Sequence, residues 1–387
     1  MENSFKAAFG CAPHWRDACA QAVAGLAGPP NNKPDNKPDL AAQNALGFVY
    51  LTGLLADNAA DIVRYLRRKT GVATWVGTTG VGVCALGRPF IDEPALAIMI
   101  CPLGAGQFKT FEADPAKLAP SLAALADWLP PGSGHTGVVH ADPRAPEAFE
   151  AIAPLGEACG VFFVGGLASS QHSFPQIAGG VTEGGLSGVV FAPSVSLFTG
   201  LSQGCTPIGP VREITKCDDD IAIEIDGRPA YEVFAEDIGP VMQRSLSHTG
   251  GYIFAGFPLP GSERQDYLLR EITGLDPQGN RLRIAAHLSA GRRIMFCRRD
   301  PYSALADLDV MLEETRDRLI ARGGRPRGAL YFSCTGRGAP MFGSGNAELE
   351  TISDVLGESV PVIGFYANGE VSANHLYGYS AVIALFG

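Results

Sequence analysis

The sequence predicts an α/β protein of two domains, with mixed β-sheets flanked by helices, because one pattern of elements occurs three times. Each copy has an apolar strand, a helix, a second strand that ends in a Gly-rich loop, and a closing apolar strand. The copies span residues 48–101, 136–194 and 328–387. Since a helical crossover returns the chain in the same direction, the strands around each helix should pair in parallel. The strand after the short Gly-rich connection should be antiparallel.

The segment before the first copy should contain a helix and a linker. Residues 12–27 are rich in alanine with a helical pattern, and Gly28, followed by two prolines, ends it. The tandem NKPD tetrapeptides that follow are typical of a solvated linker. We therefore assign residues 1–28 to an N-terminal helix and residues 29–39 to a linker.

Each copy of the pattern is built from recognisable runs. In the first copy GFVYLTGLL predicts a strand, the stretch from about Asp57 to Lys69 a helix, and ATWVGTTGVGV a second strand. In the second copy VFFVGGLASS follows a helix over residues 146–160. In the third copy the first strand ends in FSCTGRG, and the second strand ends in GFYANGE.

Two domains are expected after the linker. A run of short strands follows the second copy, and the IDGRP turn at residues 225–229 predicts a hairpin between two of them. A boundary near Asp237–Pro240 then separates a first domain, residues 40–237, from a second, residues 238–387. In the second domain, several strands and a helix from about Ser303 to Ala321 lead into the last copy.

Composition limits the partners and the compartment. The net charge is −10 and no Lys/Arg run is long, so we expect no nucleic acid. The apolar runs ALAIMIC and SAVIALF are far shorter than the roughly twenty residues of a membrane-spanning helix, so we expect no membrane partner. Nine cysteines without CxxC pairs, and an N-terminus without a continuous apolar core, favour the cytoplasm.

Metal and cofactor motifs are weak in this chain. The seven histidines are scattered, without an HExxH or HxH motif, which disfavours a metal site. The run from Gly77 to Gly82 has the form GxxGxG, but it lacks the Lys-Ser/Thr of a P-loop and the spacing of a dinucleotide-binding motif. We therefore expect neither a metal nor a cofactor.

The first strand end of the third copy carries candidate binding residues. Cys334, Thr335 and Arg337 lie where a strand gives way to a helix, so exposed amide groups and the Arg337 fork could bind an anion. Such a position could also lower the pKa of the Cys334 thiol. The alternative is a tight turn around a buried thiol that has no function beyond packing.

The second strand end of the third copy adds three more candidates. Tyr366, Asn368 and Glu370 would line a pocket, with Glu370 pairing a ligand amine, although the same residues also fit a hairpin with a surface glutamate. The corresponding loops of the first two copies contribute Thr78, Thr79 and Ser169 to the predicted pocket. The structure must show whether these residues come together.

Several of these segments resemble one known family. The loop from Gly77 to Gly82, GGLASS at 165–170, REITKCDDDIAIEIDGRPAYEVF at 212–234, FSCTGRG and IGFYANGEV are similar to the FIST proteins. The resemblance covers nearly the whole chain from about Ala45 and implies an N-terminal and a C-terminal FIST domain. It also implies a cytoplasmic sensory module of signal transduction that binds small ligands such as amino acids. One departure is that Gly82 is followed by Val83, where the family tends to have an acid.

Together the residues and the resemblance favour a ligand sensor over an enzyme. We expect a small ligand, an amino acid or a related amine, in a pocket of strand-end loops between the domains, with a downstream signalling protein as partner. One alternative is an enzyme that uses Cys334 as a nucleophile on a small metabolite. Another is a protein-interaction scaffold.

Overall fold

The computed structural model describes most of the chain, namely residues 4–27, 45–104, 106–113, 125, 127–129, 134–243, 252–259, 266–343 and 346–387. The linker predicted at 29–39 lies outside these residues. The described chain is a mixed α/β protein with several β-sheets, which confirms the predicted fold class.

The chain packs as two compact units. Unit 1 contains Met1–Ser202, Leu308–Leu376 and Ser380–Gly387, and unit 2 contains Gln203–Asp307 and Tyr377–Tyr379. All three segments that carry the strand–helix–strand pattern are therefore in unit 1, apart from Tyr377–Tyr379, although the boundary expected from the sequence separates the third from the first two. The physical reason is that strands from both sequence segments pair within the same sheets.

The first sheet of unit 1 contains the strands of the first copy, in the order β1-β6-β2-β3-β10-β11. β2 and β3 pair in parallel, and β6 is antiparallel to β2, as the pattern predicts. The strands are β1 (Lys6–Cys11), β2 (Leu46–Thr52), β3 (Thr74–Gly80), β6 (Ala95–Cys101), β10 (Pro175–Ala178) and β11 (Gly180–Glu183).

The second sheet contains the strands of the second copy, in the order β25-β24-β9-β8-β12-β7. β8 and β9 are parallel, and β12 is antiparallel to β8. The strands are β7 (Phe108–Ala113), β8 (His135–Ala141), β9 (Val161–Leu167), β12 (Leu186–Phe191), β24 (Glu370–Ser372) and β25 (His375–Tyr377). Since β24 and β25 come from the end of the chain, this sheet joins the two sequence segments.

The third sheet contains the strands of the third copy, in the order β13-β26-β22-β23-β4-β5. β22 and β23 are parallel, and β26 is antiparallel to β22. The strands are β4 (Gly82–Ala85), β5 (Arg88–Ile91), β13 (Leu197–Gln203), β22 (Gly328–Cys334), β23 (Val362–Ala367) and β26 (Ser380–Phe386). β4 pairs with β23, so early strands complete the sheet of the last copy.

The helices connect and cover the sheets. In the first copy, Ile62, Val63 and Leu66 are buried, and Gly71 ends the helix in the left-handed conformation with φ 77°. A 3-10 helix spans Gly53–Asn58, and the α-helices are α1 (Trp15–Gly25), α2 (Ala59–Thr70), α3 (Pro146–Glu150), α4 (Ile152–Cys159), α5 (Ala230–Gln243), α6 (Pro301–Ala321), α7 (Ala339–Phe342) and α8 (Ala347–Leu356).

One apolar core joins the three sheets of unit 1. Phe48 of the first sheet, Val138 of the second and Phe332 of the third belong to a single cluster of buried side chains. This arrangement brings the ends of the three parallel strand pairs into one region. That the three segments are copies of one unit remains a prediction from the sequence.

Unit 2 is built on a ring of antiparallel strands. Its strand order is β14-β21-β15-β16-β20-β19-β18, and a further pairing of β18 with β21 closes six of the strands into a barrel. The strands are β14 (Cys205–Pro207), β15 (Arg212–Asp218), β16 (Ile221–Ile225), β17 (Arg228–Pro229), β18 (Ile253–Pro258), β19 (Tyr267–Asp276), β20 (Arg281–Ile284) and β21 (Arg293–Arg299).

The hairpin expected in unit 2 is only partly correct. The IDGRP turn forms, with Asp226 and Gly227 at positive φ, and Ile225 pairs with Arg228. The strand expected after it is instead α5, because Val233 and Phe234 pack into the interior of the ring of strands rather than extending the sheet.

Candidate functional site

The strand ends of the three sheets meet around Ser169, which lies two residues after the end of the β9 strand. The Ser169 amide donates to the Thr79 carbonyl at 3.1 Å, and the Ser169 hydroxyl oxygen accepts from the Val81 amide at 2.9 Å. The same hydroxyl donates to the Tyr366 carbonyl. One buried serine therefore ties the ends of β3, β9 and β23 together.

A second set of bonds fixes the loop that carries Glu370. The Asn368 amide donates to the Leu167 carbonyl at 3.0 Å, and the Leu167 amide donates to the Gly369 carbonyl at 2.9 Å. Glu370 then enters β24, where it pairs with Gly166 of β9. The position of Glu370 is thus set by the main chain of another sheet.

Next to this junction lies a buried ion pair between Arg337 and Glu348. The Arg337 Nε donates to Glu348 Oε1 at 2.6 Å, and the two side chains are 0% and 2% exposed. Glu348 also accepts from the Tyr331 hydroxyl at 2.7 Å and from the Ser333 hydroxyl at 2.9 Å. The Glu348 carboxylate therefore has three donors.

Arg337 is only partly satisfied by this pair. Its Nη1 and Nη2 atoms are buried and have no hydrogen-bond partner among the described residues. Burial opposes the charge, but the charge of Glu348, the Tyr331 phenol, the Glu348 hydrogen bond and the charge of Glu370 together raise the pKa of Arg337. The guanidinium is therefore charged and presents two unused N–H-bearing nitrogens. Phe342 lies 5.6 Å from it, measured to the ring centroid.

Glu370 is the second incompletely satisfied group. Its Oε2 accepts from the Ser380 amide at 3.2 Å and from the Ser380 hydroxyl at 2.7 Å. Its Oε1 is buried and has no partner of hydrogen-bond geometry in the described part of the chain. Burial raises the pKa of Glu370 to about 8, against the opposing effects of Ser380, the Arg337 charge and a hydrogen bond with the Cys334 thiol.

These groups form one cluster, which we call the Arg337–Glu370 cluster: Arg337, Glu348, Glu370, Cys334, Tyr331, Ser333 and Ser380. All of its members belong to unit 1. A buried guanidinium with two unused donor atoms and a buried carboxyl oxygen without a partner can receive a ligand with an acidic and a basic group. No group of three or more His, Cys, Asp or Glu side chains among the described residues could hold a metal ion.

Family models match almost the same part of the chain that the sequence motifs indicated. The FIST N domain matches residues 45–228, and the FIST C domain matches residues 230–373. The chain belongs to the FIST family. FIST domains are associated with sensory roles in signal transduction.

Relatives of this FIST protein occur in mycobacteria. An uncharacterized protein of Mycobacterium tuberculosis is 28% identical over 346 residues, which cover 85% of this chain and 88% of the relative. An uncharacterized protein of Mycobacterium bovis is 28% identical over 370 residues, covering 90% of this chain and 92% of the relative. The likeness thus extends over nearly the whole of both chains.

The Arg337–Glu370 cluster and the adjoining strand junction include some of the residues expected from the sequence. Cys334, Arg337 and Glu370 come together, and Ser169 and Tyr366 lie at the adjoining strand junction. Glu370 is 0% exposed, so the alternative of a hairpin with a surface glutamate is wrong. The Cys334 thiol is buried, as the packing alternative expected.

The other expected residues have different surroundings. Thr78 and Thr79 are fully buried, and their hydroxyls donate to the Pro175 and Ser173 carbonyls, at 3.1 and 3.4 Å. Thr335 is half-buried, and its amide donates to the Ala367 carbonyl. The Asn368 side chain is exposed. Within the described residues, none of these hydroxyl or amide side chains forms a hydrogen bond to Arg337 or Glu370.

Sequence reasoning missed two important members of the cluster. Glu348 lies four residues before Ile352, on the buried side of α8, and a glutamate on an apolar helix face is a sign of a buried partner. Ser380 is the first residue of β26, and nothing in its local sequence indicates that it bonds to Glu370.

A separate groove lies at the opposite ends of the third-sheet strands. Its volume is about 850 Å³, and its lining includes Phe5, Arg325, Arg327 and Phe386. β22 begins at Gly328 beside this groove, whereas it ends at Cys334 beside the cluster. We place the functional site at the cluster because a charged guanidinium and a carboxyl group meet there and three of their buried atoms, Arg337 Nη1, Arg337 Nη2 and Glu370 Oε1, lack a hydrogen-bond partner among the described residues.

Proposed function

We propose that this FIST protein is a sensor that binds a small zwitterion, an amino acid or a closely related amine, at the Arg337–Glu370 cluster. One observation carries the proposal: Arg337 Nη1, Arg337 Nη2 and Glu370 Oε1 are buried and lack hydrogen-bond partners among the described residues. Buried polar groups are seldom left unpaired in native proteins, so these atoms indicate something that pairs with them.

The charges of the cluster define the ligand. The two Nη atoms of a guanidinium match the two oxygens of a carboxylate, which favours an acidic group at Arg337. Glu348 holds this guanidinium by its Nε, so the fork is already oriented before a ligand arrives. Pre-orientation lowers the entropy lost on binding.

Glu370 supplies the complementary recognition of an ammonium group. Its pKa of about 8 means that the carboxyl is mostly protonated at neutral pH. An ammonium beside Oε1 would favour the ionised form and lower this pKa, so the carboxyl would release its proton as the amine binds. Binding is then coupled to proton release.

Access to the cluster requires movement of its cover. Arg337 and Glu370 have no exposed surface, and Phe342 of the short helix α7 lies over the guanidinium. Ala339 and Pro340 at the start of α7 are exposed. The ligand would enter when this segment moves outward, and its closure over a bound ligand is the change that a partner could sense.

The compartment and the partner complete the proposal. None of the nine cysteines, all of which lie in the described residues, forms a disulfide, which is what a reducing compartment such as the cytoplasm maintains. None of the described helices is long and apolar enough to cross a membrane. We infer a cytoplasmic sensor that passes its signal to a downstream protein.

A thermal-shift panel tests the ligand class. We expect at least one of the twenty L-amino acids to raise the melting temperature, and we expect its carboxamide and its N-acetyl derivative not to do so. The carboxamide removes the acidic group that Arg337 needs, and the acetyl group removes the ammonium that Glu370 needs. If buried water alone occupies the cluster, no amino acid will raise the melting temperature, and the proposal is then wrong.

Variants of the cluster give the matched controls. Arg337→Lys keeps the positive charge but loses the fork, so the stabilising amino acid should bind at least about tenfold more weakly. Arg212→Lys changes a half-buried arginine of unit 2 whose three nitrogens are all paired, and it should leave the amino-acid response intact. Loss of the response in both variants would indicate a general effect of stability.

A further inference from the structure

We propose that unit 2 contains a second binding site, specific for a phosphate-type dianion, formed by Arg270, Arg292 and Phe257 at one end of the strand barrel. Nothing in the proposed amino-acid site requires this feature. The proposal stands on which face of the strands these side chains occupy, and on the absence of a carboxylate partner for either arginine in the described residues.

Strand register places Arg270 on the inner face of the barrel. Arg270 of β19 is directly opposite Ala255 of β18, and directly opposed residues of an antiparallel pair have side chains on the same face. Ala255 belongs to the apolar cluster inside the barrel. The alternate residues Tyr267 and Leu269 belong to a different cluster on the other face. Arg270 therefore points inward.

Arg292 reaches the same face from the neighbouring strand. It directly precedes β21, which pairs with the other side of β18. Its guanidinium carbon lies 3.9 Å from the centroid of the Phe257 ring, and Phe257 is two residues from Ala255 on β18, so the two share a face. The two arginines thus flank β18 from both sides.

Neither arginine has all of its hydrogen-bond donors paired with the described residues. The Arg270 Nη1 donates to the Leu269 carbonyl at 2.7 Å, and the Arg292 Nη1 donates to the His287 carbonyl at 2.6 Å. Neither forms an ion pair with another residue of the described ranges. The remaining donor atoms of both guanidinium groups make no bond to those residues, whereas Arg212, Arg228 and Arg283 in the same unit are all paired with carboxylates.

Charge and burial agree with this geometry. Burial lowers the pKa of Arg270, and the nearby charge of Arg292 lowers it further. Two half-buried cations of like charge repel each other. In a protein of net charge −10, a neighbouring acidic side chain would ordinarily neutralise them. A dianion between them would remove the repulsion and accept hydrogen bonds from both forks. The mouths of β-barrels are frequent ligand sites.

Calorimetry and thermal shift on the full chain test the site with inorganic phosphate. We expect phosphate to bind and to raise the melting temperature, while chloride at the same ionic strength does not. Arg270→Gln and Arg292→Gln should each weaken phosphate binding by at least about tenfold. Without phosphate both variants should be as stable as the unchanged protein or more so, because the like-charge repulsion is gone.

Controls separate this site from general electrostatics. Arg283→Gln removes an arginine on the same barrel that is paired with Asp220, and it should bind phosphate as the unchanged protein does. O-Phosphoserine, tested beside phosphate, shows whether the site accepts a phosphoryl group carried on a larger molecule or only the free anion. Phosphate binding that is absent, or that Arg283→Gln weakens as much as Arg270→Gln does, would overturn the proposal.

Discussion

Two ion-paired arginines in this protein are held in opposite ways. Arg212 of unit 2 donates from Nε and Nη2 to Asp237 and from Nη1 to Asp226, so all three nitrogens have carboxylate partners. Arg337 of unit 1 donates only from Nε, to Glu348, and its two Nη atoms have no partner among the described residues. Both arginines form an ion pair, but only Arg212 has a partner for each of its three side-chain nitrogens.

We propose that this difference separates a structural arginine, Arg212, from a ligand-binding one, Arg337. An ion pair whose donors are all used stabilises the fold and has nothing left for a ligand. A pair that uses one donor and keeps two buried leaves the desolvation cost of those atoms uncompensated, which the protein tolerates when a ligand or water supplies the partners. The predictions below test this contrast, beginning with the largest effect.

Removing the charge of Arg337 should cost the most stability. Arg337→Met leaves the Glu348 carboxylate buried without its cation, and breaking a buried pair in this way costs about 3–5 kcal/mol. Arg212→Met should cost less, because the Arg212 side chain is 13% exposed and Asp226, one of the two carboxylates that it frees, is 38% exposed and can be hydrated. Urea unfolding of both variants measures this, and a larger loss for Arg212→Met would break the comparison.

Glu370→Gln should change the free energy of unfolding at alkaline pH. The folded-state pKa of Glu370 is raised to about 8, above its ordinary value of 4.5. The native state therefore holds a proton that the unfolded state has lost, and stability falls as pH rises from about 4.5 to about 8. Glutamine cannot ionise, so Glu370→Gln should be more stable than the unchanged protein at pH 9, by an amount on the order of a few kcal/mol.

The measurement is unfolding at several pH values. Ser380 can still donate to the glutamine carbonyl, so at pH 5 the two proteins should differ little. Parallel pH profiles for Glu370→Gln and the unchanged protein would show that Glu370 is ionised throughout.

His140 should lower the stability of the folded protein at acidic pH. It is buried, its Nδ1 lacks a hydrogen-bond partner among the described residues, and its Nε2 lies 3.2 Å from the Tyr50 hydroxyl. Burial lowers the pKa of His140 to about 3 from 6.5. Its contribution to stability is present above pH 6.5 and is lost as pH falls towards 3.

His140→Phe should therefore remove part of the acid destabilisation between pH 6.5 and 3, as acid titration of the folded fraction would show. Because His140 has no opposite charge beside it, the variant should keep the response to amino acids. If His140→Phe lost the response to amino acids, the combination of unpaired buried atoms with opposite charges would not be what distinguishes the binding cluster.

Cys334→Ser should have the smallest effect. The thiol makes the weakest of the contributions that favour the ionised form of Glu370. A serine hydroxyl can replace that hydrogen bond, so amino-acid affinity should change by no more than about threefold. Calorimetry measures this, and complete loss of ligand turnover together with unchanged binding would instead favour the thiol enzyme.

The sequence predicted the strand pairs well because their signals are local. The runs around β2, β8 and β22 alternate with helix patterns and glycines, and crossover rules then require parallel pairing. The prediction of a strand after the IDGRP turn was wrong, because local alternation cannot show that Val233 and Phe234 pack as one face of a helix. Packing decided that element.

The site was predictable only in part for the same reason. Arg337 and Glu370 follow strand ends, where a sequence pattern indicates exposed donors and a pocket. Glu348 and Ser380 lie 11 and 10 residues from their partners, on other elements, and no local rule links them. Thr78 is a polar residue beside a Gly-rich loop, yet its hydroxyl donates to the carbonyl of Pro175 at the start of β10, which only the tertiary fold reveals.

The most direct test of the binding cluster is the number of protons released when a ligand binds. Titration calorimetry at pH 7, in two buffers of different ionisation enthalpy, with the L-amino acid that stabilises the protein most, gives this number. We predict close to one proton released per amino acid bound by the unchanged protein, because Glu370 is mostly protonated before binding. Glu370→Gln should release almost none. Equal proton release from both proteins, or no binding by any amino acid, would contradict the assignment of Arg337 and Glu370 to a ligand.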